Sequence, residues 1–396
     1  MHRARQPILI AVRGLDPVGT GRQAELLVHG LAAAGRDVHV AITSAGGSLA
    51  ARLRAAGVPV HRIGRRPDPD IAATMRLAGL LRRLRKPTLI AFGRRQAALA
   101  TVARSLAPGV RTVLHVGLPP RRRREGRILR AADRVVAVSA GVAAGCRMLG
   151  VSGERVVEIL PGITADEPTL SREAVAVRLG LDPACAWTLS VTPLVAEARL
   201  ERLVWGIDQL GVVRKDVQHV LVGAGPQLRR LWRRARVQEL AERLFVVPWC
   251  EVLPDLLGEV RYVWQSGTTA CGGVILDAMA RGVPAVAVAG DAARELVVSG
   301  ATGWIVPPLP ESEFPRRAFT LLERPDEAAG FGDAARRRAA EVFPVERMVA
   351  GLDNWPFAVA PAAAAALMGE RGRRPPPGPP RTASCPCSPS RRRRGP

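Results

Sequence analysis

The chain has 396 residues, of which 47% are hydrophobic and 4% aromatic, and its formal net charge is +23. That length suits two domains of ordinary size rather than one core, and no window approaches the roughly 18 consecutive apolar residues of a membrane-spanning helix. The cations are nearly all arginine, with Lys86 and Lys215 the only lysines; a GC-rich coding bias accounts for that, so the total charge does not by itself assign an anionic partner.

The first half alternates short apolar runs with helical patterns. "ILIAV" (8–12) reads as a strand, "GRQAELLVHGLAAAG" (21–35) as a helix, "VHVAI" (38–42) as a strand and "LAARLRAAG" (49–57) as a helix before "VPVHRI" (58–63). "TLIAFG", "RTVLHVG" and "RVVAVS" continue the series, each with a helical partner. Such alternation predicts parallel sheets covered on both faces, as in doubly wound α/β folds. With few aromatics, Leu, Val, Ile and Ala are expected to fill the cores.

The period is lost after "VVEILPGITADEPTL" and resumes at "AWTLSVTPL" (186–194); "HVLVGAGP", "LFVVPWC", "YVWQSG", the helix "GGVILDAMARG", "PAVAVAG" and "GWIVPP" then repeat the same logic. The expected organisation is an N-terminal Rossmann-like domain over 1–165, a linker over 166–185, a second Rossmann-like domain over 186–345 and a helical segment over 346–368. Residues 369–396, "GERGRRPPPGPPRTASCPCSPSRRRRGP", are rich in Pro and Arg, lack an apolar period and are expected to be disordered.

Six scattered cysteines (Cys146, Cys185, Cys250, Cys271, Cys385 and Cys387) show no zinc-ligand spacing with histidine. The opening "MHRARQPILIAVRGLD" has too short an apolar run for a signal peptide. Both point to a reducing cytoplasm.

Ordered motifs from about residue 8 to 345 resemble retaining nucleotide-sugar glycosyltransferases of GT-B architecture, in particular glycosyltransferase family 4. They are "VGTGRQAELLVHGLAAAGRDVHVA", "AADRVVAVSAGVAAGCRMLGVSGERVVEILPGI", "VLVGAGP", "LFVVPWCEVLPDLL", "GGVILDAMARGVPAVAV" and "RELVVSGATGWIVPP". The resemblance implies two doubly wound domains facing a cleft and a nucleotide diphosphate sugar as donor substrate, with no metal required.

Carried over residue by residue, it places Asp277 at the second acid of the family's E-x7-E pair, on the donor ribose, and puts Thr269 where the first acid stands. Gly272 and Gly273 offer amides to the sugar or phosphates, Ser266 matches the family's "PS" serine, and His115 in "VLHVG" matches its histidine near the donor sugar. Gly19 and Gly21 form the glycine loop near the phosphates, and Trp249 borders the base. In the segment that resembles the phosphate clamp, Pro193 and Ala198 replace the family's Arg and Lys. Arg199, one position on, is the substitute, with Arg202 a further candidate.

These assignments give a hexosyltransferase acting with retention on a lipid-linked or polysaccharide acceptor of the cell envelope. The three losses keep open a non-catalytic GT-B protein that binds a sugar nucleotide, glycan or partner. The run Arg121–Arg124 suits either an anionic acceptor or a phospholipid surface, the latter as a peripheral contact at the inner face of the cell membrane. No aromatics are interleaved with it, which argues against nucleic acid.

Overall fold

A computed structural model describes residues 6–17, 19–44, 47–64, 71–120, 122–164, 168–248, 250–267 and 273–353. The expected tail, and most of the segment expected to be helical before it, lie outside the described residues.

The first half contains β1 (Ile8–Val12), α1 (Gly19–Ala33), β2 (Val38–Ile42), α2 (Ser48–Ala55), β3 (Val60–Arg62), α3 (Ile71–Arg83), β4 (Thr88–Phe92), α4 (Arg94–Leu106), β5 (Arg111–Val116), α5 (Arg123–Ala131), β6 (Arg134–Ala137), α6 (Ala140–Met148) and β7 (Val156–Glu158). Among the described residues these strands form one parallel sheet in the order β3-β2-β1-β4-β5-β6-β7. Every residue of β1 and β4 is buried, while β3 at the edge is not. Central parallel strands lie under helices on both faces, which is why their sequences are continuous apolar runs rather than alternating ones.

The second half contains α7 (Arg172–Leu179), β8 (Ala186–Val191), α8 (Leu200–Val213), β9 (Val217–Val222), α9 (Leu228–Val237), β10 (Leu244–Val247), α10 (Leu253–Glu259), β11 (Val263–Gln265), α11 (Val274–Ala280), β12 (Ala285–Val288), α12 (Asp291–Leu296), β13 (Gly303–Val306), α13 (Glu313–Glu323), α14 (Pro325–Val342) and α15 (Val345–Asp353). Its strands pair in parallel in the order β10-β9-β8-β11-β12-β13. The expected filling by Leu, Val, Ile and Ala largely holds for the first half, where Phe92 is the buried aromatic among the described residues. In the second, Trp187, Tyr262, Trp264 and Phe314 are fully buried, and Trp264 meets Phe314 edge to face at 4.8 Å. Gly206 makes room, since a Cβ there would lie 2.8 Å from the Trp264 ring.

The aperiodic segment between the halves is not structureless. Ser171 caps α7 by accepting from the Ala174 N–H at 3.3 Å, and Gly180 ends the helix in the left-handed region. Arg172 lies 3.8 Å over the Trp187 ring and donates to Cys185 O at 2.7 Å. Asp255 accepts from the Thr169 N–H at 2.5 Å and the Leu170 N–H at 2.9 Å. Burial raises that carboxyl, and the amides that donate to it outweigh burial and hold it below the usual range.

The chain then returns. Ile163 N donates to Phe343 O at 2.8 Å, and α15 packs on α1, where Gly30 faces Val349 and Arg36 pairs with Asp353 at 2.7 Å. Gln23 holds Gly162 through two hydrogen bonds of 2.8 and 3.1 Å.

Candidate functional site

In an open parallel sheet, ligands bind beyond the carboxyl ends of the strands where the strand order reverses, because adjacent loops there diverge to opposite faces. The reversals fall between β1 and β4 in the first sheet and between β8 and β11 in the second. The loops after those strands carry Gly19, Gly21 and Gly93 on one side, and Arg199, Ser266 and Gly267 on the other.

On the first side, Gly19 opens α1 at φ +59 with nothing against it. Gly21 has a steric role in the loop. A Cβ there would sit 2.4 Å from Asp16 N and 2.5 Å from Asp16 O, so its bare backbone lets the loop fold onto α1. His115 is 4% exposed near the end of β5 and stacks on Phe92 at 4.1 Å. Its Nδ1 has no hydrogen-bond partner, and burial pushes its pKa down to about 4, so the imidazole is neutral at neutral pH.

On the second side, Ser266 donates to Ala198 O at 2.7 Å, so its hydroxyl proton ties the two switch-point loops together rather than facing a ligand. Gly267 completes this approach, since a Cβ would fall 2.1 Å from Glu197 O. Arg199 takes a left-handed conformation just before α8; its side chain is 64% exposed and lies 3.7 Å from Glu201. Arg202 is spent as a brace, donating to Ser266 O and Pro308 O at 3.1 Å each. Ala198, at the expected clamp position, is buried.

Gly273 precedes α11 at φ +53, and Asp277 follows in the first turn, 7% exposed. Trp249, Thr269, Gly272 and Arg121 lie outside the described residues.

Three adjoining hollows link the sides. The first, about 140 Å³, includes Thr20, Gly93, His115, Gly117 and Leu118. The second, about 250 Å³, shares Gly117 and Leu118 and adds Ser139 and Pro161 from the first half with Gly290, Asp291 and Glu295 from the second. The third, about 190 Å³, shares Gly290 and Asp291 and reaches Arg199, Ser266 and Gly267. His115 and the Arg199 loop thus border one cleft. A larger hollow, about 690 Å³, lies at the amino-terminal ends of the second sheet's strands, away from the switch-point loops. Its Arg172 and Arg214 are already answered by Glu259, Asp216 and Glu323.

Sequence reasoning singled out neither Asp291 nor Glu295. Burial raises the Glu295 carboxyl, with the Ser139 hydroxyl and Gly141 amide opposing and Glu158 and Asp291 adding to the rise. The usable signal was Glu295 in "RELVV", within a matched motif. Among the described residues no group of three or more His, Cys, Asp or Glu side chains is placed to hold a metal ion.

Residues 17–167 match the family model described as Glycosyltransferase Family 4, and residues 190–324 the one described as Glycosyl transferases group 1. No curated protein matches the sequence. Among solved structures, Alr3699/HepE of Anabaena, in complex with UDP and glucose, is similar with a TM-score of 0.74 at 18% identity over 88% of this chain and 99% of that one. Sucrose-phosphate synthase from Thermosynechococcus elongatus is similar at 0.72 and 19%, over 88% and 98%. WaaG, a glycosyltransferase involved in lipopolysaccharide biosynthesis, is similar at 0.69 and 13%, over 89% and 100%. With a glycosyltransferase model matching each half and the GT-B arrangement of two parallel sheets throughout, the chain belongs to the family 4-like glycosyltransferases.

Proposed function

We propose that the protein transfers a hexose, with retention and without a metal, from a nucleotide diphosphate sugar to a lipid-linked or polysaccharide acceptor of the cell envelope, acting in the cytoplasm at the membrane's inner face. The observation that supports this reading is the run of adjoining hollows that carries loops from both switch points, from His115 on the first side to Arg199, Ser266 and Gly267 on the second. Related folds have been crystallised with UDP and with UDP-glucose, which supports a nucleotide sugar as donor.

In the reaction the bond from the anomeric carbon to the diphosphate breaks, a bond to an acceptor oxygen forms, and the acceptor's proton leaves with the diphosphate. Charge builds on the departing phosphates, so cations and amides aimed there accelerate the step. Asp277 accepts from the ribose hydroxyls; Thr269, Gly272 and Gly273 hold the sugar, and Ser266 ties the Ala198 loop. Trp249 borders the base, and Gly19 and Gly21 shape the loop over the phosphates. Arg199, exposed beside Ser266 and Gly267, supplies the guanidinium. His115, neutral, hydrogen-bonds near the reacting carbon.

One observation favours a second reading, binding without turnover. Ala198 is buried at the clamp position, and Arg202 is committed to Ser266 and Pro308. Arg199 alone then carries the phosphate charge.

Thermal unfolding of the full chain with UDP, GDP, ADP and their sugars tests this. Stabilisation by one nucleotide, lost in Asp277→Ala and weakened about tenfold in Arg199→Ala, is expected. No response to any nucleotide from a folded protein removes the donor reading; binding without sugar transfer leaves the second one.

A further inference from the structure

The hollow beside His115 has a chemistry that the donor does not need. Ala97, Val116, Leu118, Pro120, Ile128 and Leu129 make its wall predominantly apolar. At about 140 Å³ it matches the size, roughly 150 Å³, of an apolar protein cavity that stays dry and accepts a benzene-sized guest. A sugar ring fits it poorly, because each buried hydroxyl needs a partner. The polar side chains in the wall are Thr20, Arg94, His115 and Glu125, and Arg94 is already paired with Glu125 at 3.2 Å.

Arg122, Arg123, Arg124 and Arg127 stand exposed on α5 or at its N-cap, the helix that supplies Ile128 and Leu129 to the hollow. Guanidinium groups carried by the helix that walls an apolar recess complement a molecule with a phosphate at one end and hydrocarbon at the other.

We propose that this hollow seats an apolar segment of the acceptor, an alkyl or isoprenoid chain whose phosphate rests on the arginines heading α5. This rests on the transferase reading of the cleft and separates its two acceptor classes, since a free polysaccharide has nothing to place there. About one isoprene unit occupies the recess. The rest of the chain leaves over Pro120 and α5.

The test is calorimetric titration of the full chain with farnesyl phosphate below its micellar concentration, with farnesol and inorganic phosphate as parallel probes. Farnesyl phosphate is expected to bind at least tenfold more tightly than either. Ile128→Trp, which fills the recess, weakens it at least tenfold and leaves the nucleotide-induced thermal shift unchanged; Arg124→Glu with Arg127→Glu weakens farnesyl phosphate but not farnesol. If Ile128→Trp does not fold, Ala97→Val narrows the same recess. Unchanged affinity in the filled variant overturns the proposal. So does phosphate binding as tightly as farnesyl phosphate, or adsorption to phosphatidylglycerol vesicles with no farnesyl phosphate binding. If farnesyl phosphate binds through the recess while no nucleotide stabilises the protein, the donor reading fails and the recess stands.

Discussion

Acidification should unfold this protein through two histidines buried as neutral bases. His219 is 1% exposed on β9, accepts or donates a 2.8 Å hydrogen bond with Thr188 Oγ1, leaves Nε2 without a partner, and is pushed by burial to a pKa of about 3. His115 is pushed to about 4. Both folded values lie below the unfolded one of about 6.5, so the stability they contribute is fully present above that pH. It is lost as pH falls toward the folded values, because the unfolded chain takes up protons first. At about pH 5 each group lies some 1.5 units below its unfolded pKa, which costs about 2 kcal/mol per histidine and about 4 kcal/mol for the pair. The size of that loss depends only on the folded values lying well below the assay pH. It corresponds to a fall in Tm of roughly 5–10 °C between about pH 8 and pH 5. Asp16 and Glu295, whose carboxyls burial raises, work in the opposite direction and reduce the loss. The decisive comparison is therefore with His219→Gln, which cannot titrate there. Thermal unfolding at a series of pH values should show a slope smaller by about 2 kcal/mol in the variant, whatever its stability at pH 8. An unchanged slope would refute the assignment of His219 as a buried neutral base.

Gly21→Ala forces a Cβ to 2.4 Å from the Asp16 backbone and should cost about 1–3 kcal/mol in denaturant unfolding and loosen the glycine loop; Gly19→Ala meets no neighbour and costs only the left-handed penalty of about 1–2 kcal/mol. Asp255→Ala strands the Thr169 and Leu170 amides, which should lower stability by about 1–3 kcal/mol in denaturant unfolding and speed hydrogen exchange at those amides; wild-type exchange would show that the tie is dispensable.

Much of the fold is legible in the chain because parallel strands buried on both faces must be apolar along their whole length. "ILIAV", "TLIAF" and "AVAV" therefore announce β1, β4 and β12, and the glycines between them announce the turns. Less legible was α7, whose eight residues bury only Val175 and Ala176 and which is held in addition by Arg172 on Trp187 and by Asp255 on the chain just before its cap. The site divides the same way. That Gly273 and Asp277 stand at the head of α11 could be read from a spacing along one helix start, where neighbours in sequence are neighbours in space. The fates of Ser266, Arg199 and Arg202 could not, because each depends on a loop from the other side of a switch point.

By itself, then, the sequence determined the two sheets, their parallel sense and the family, since these follow from local periodicity and from motifs contiguous in the chain. Tertiary structure decided which polar groups remain available in the cleft: Ser266 is spent on Ala198 and Arg202 on Pro308, while Glu295 and the apolar recess beside His115 arise only where residues distant in sequence converge. Hydrogen bonds and burial are pairwise properties in space, and no one-dimensional pattern records which donor has already found its acceptor.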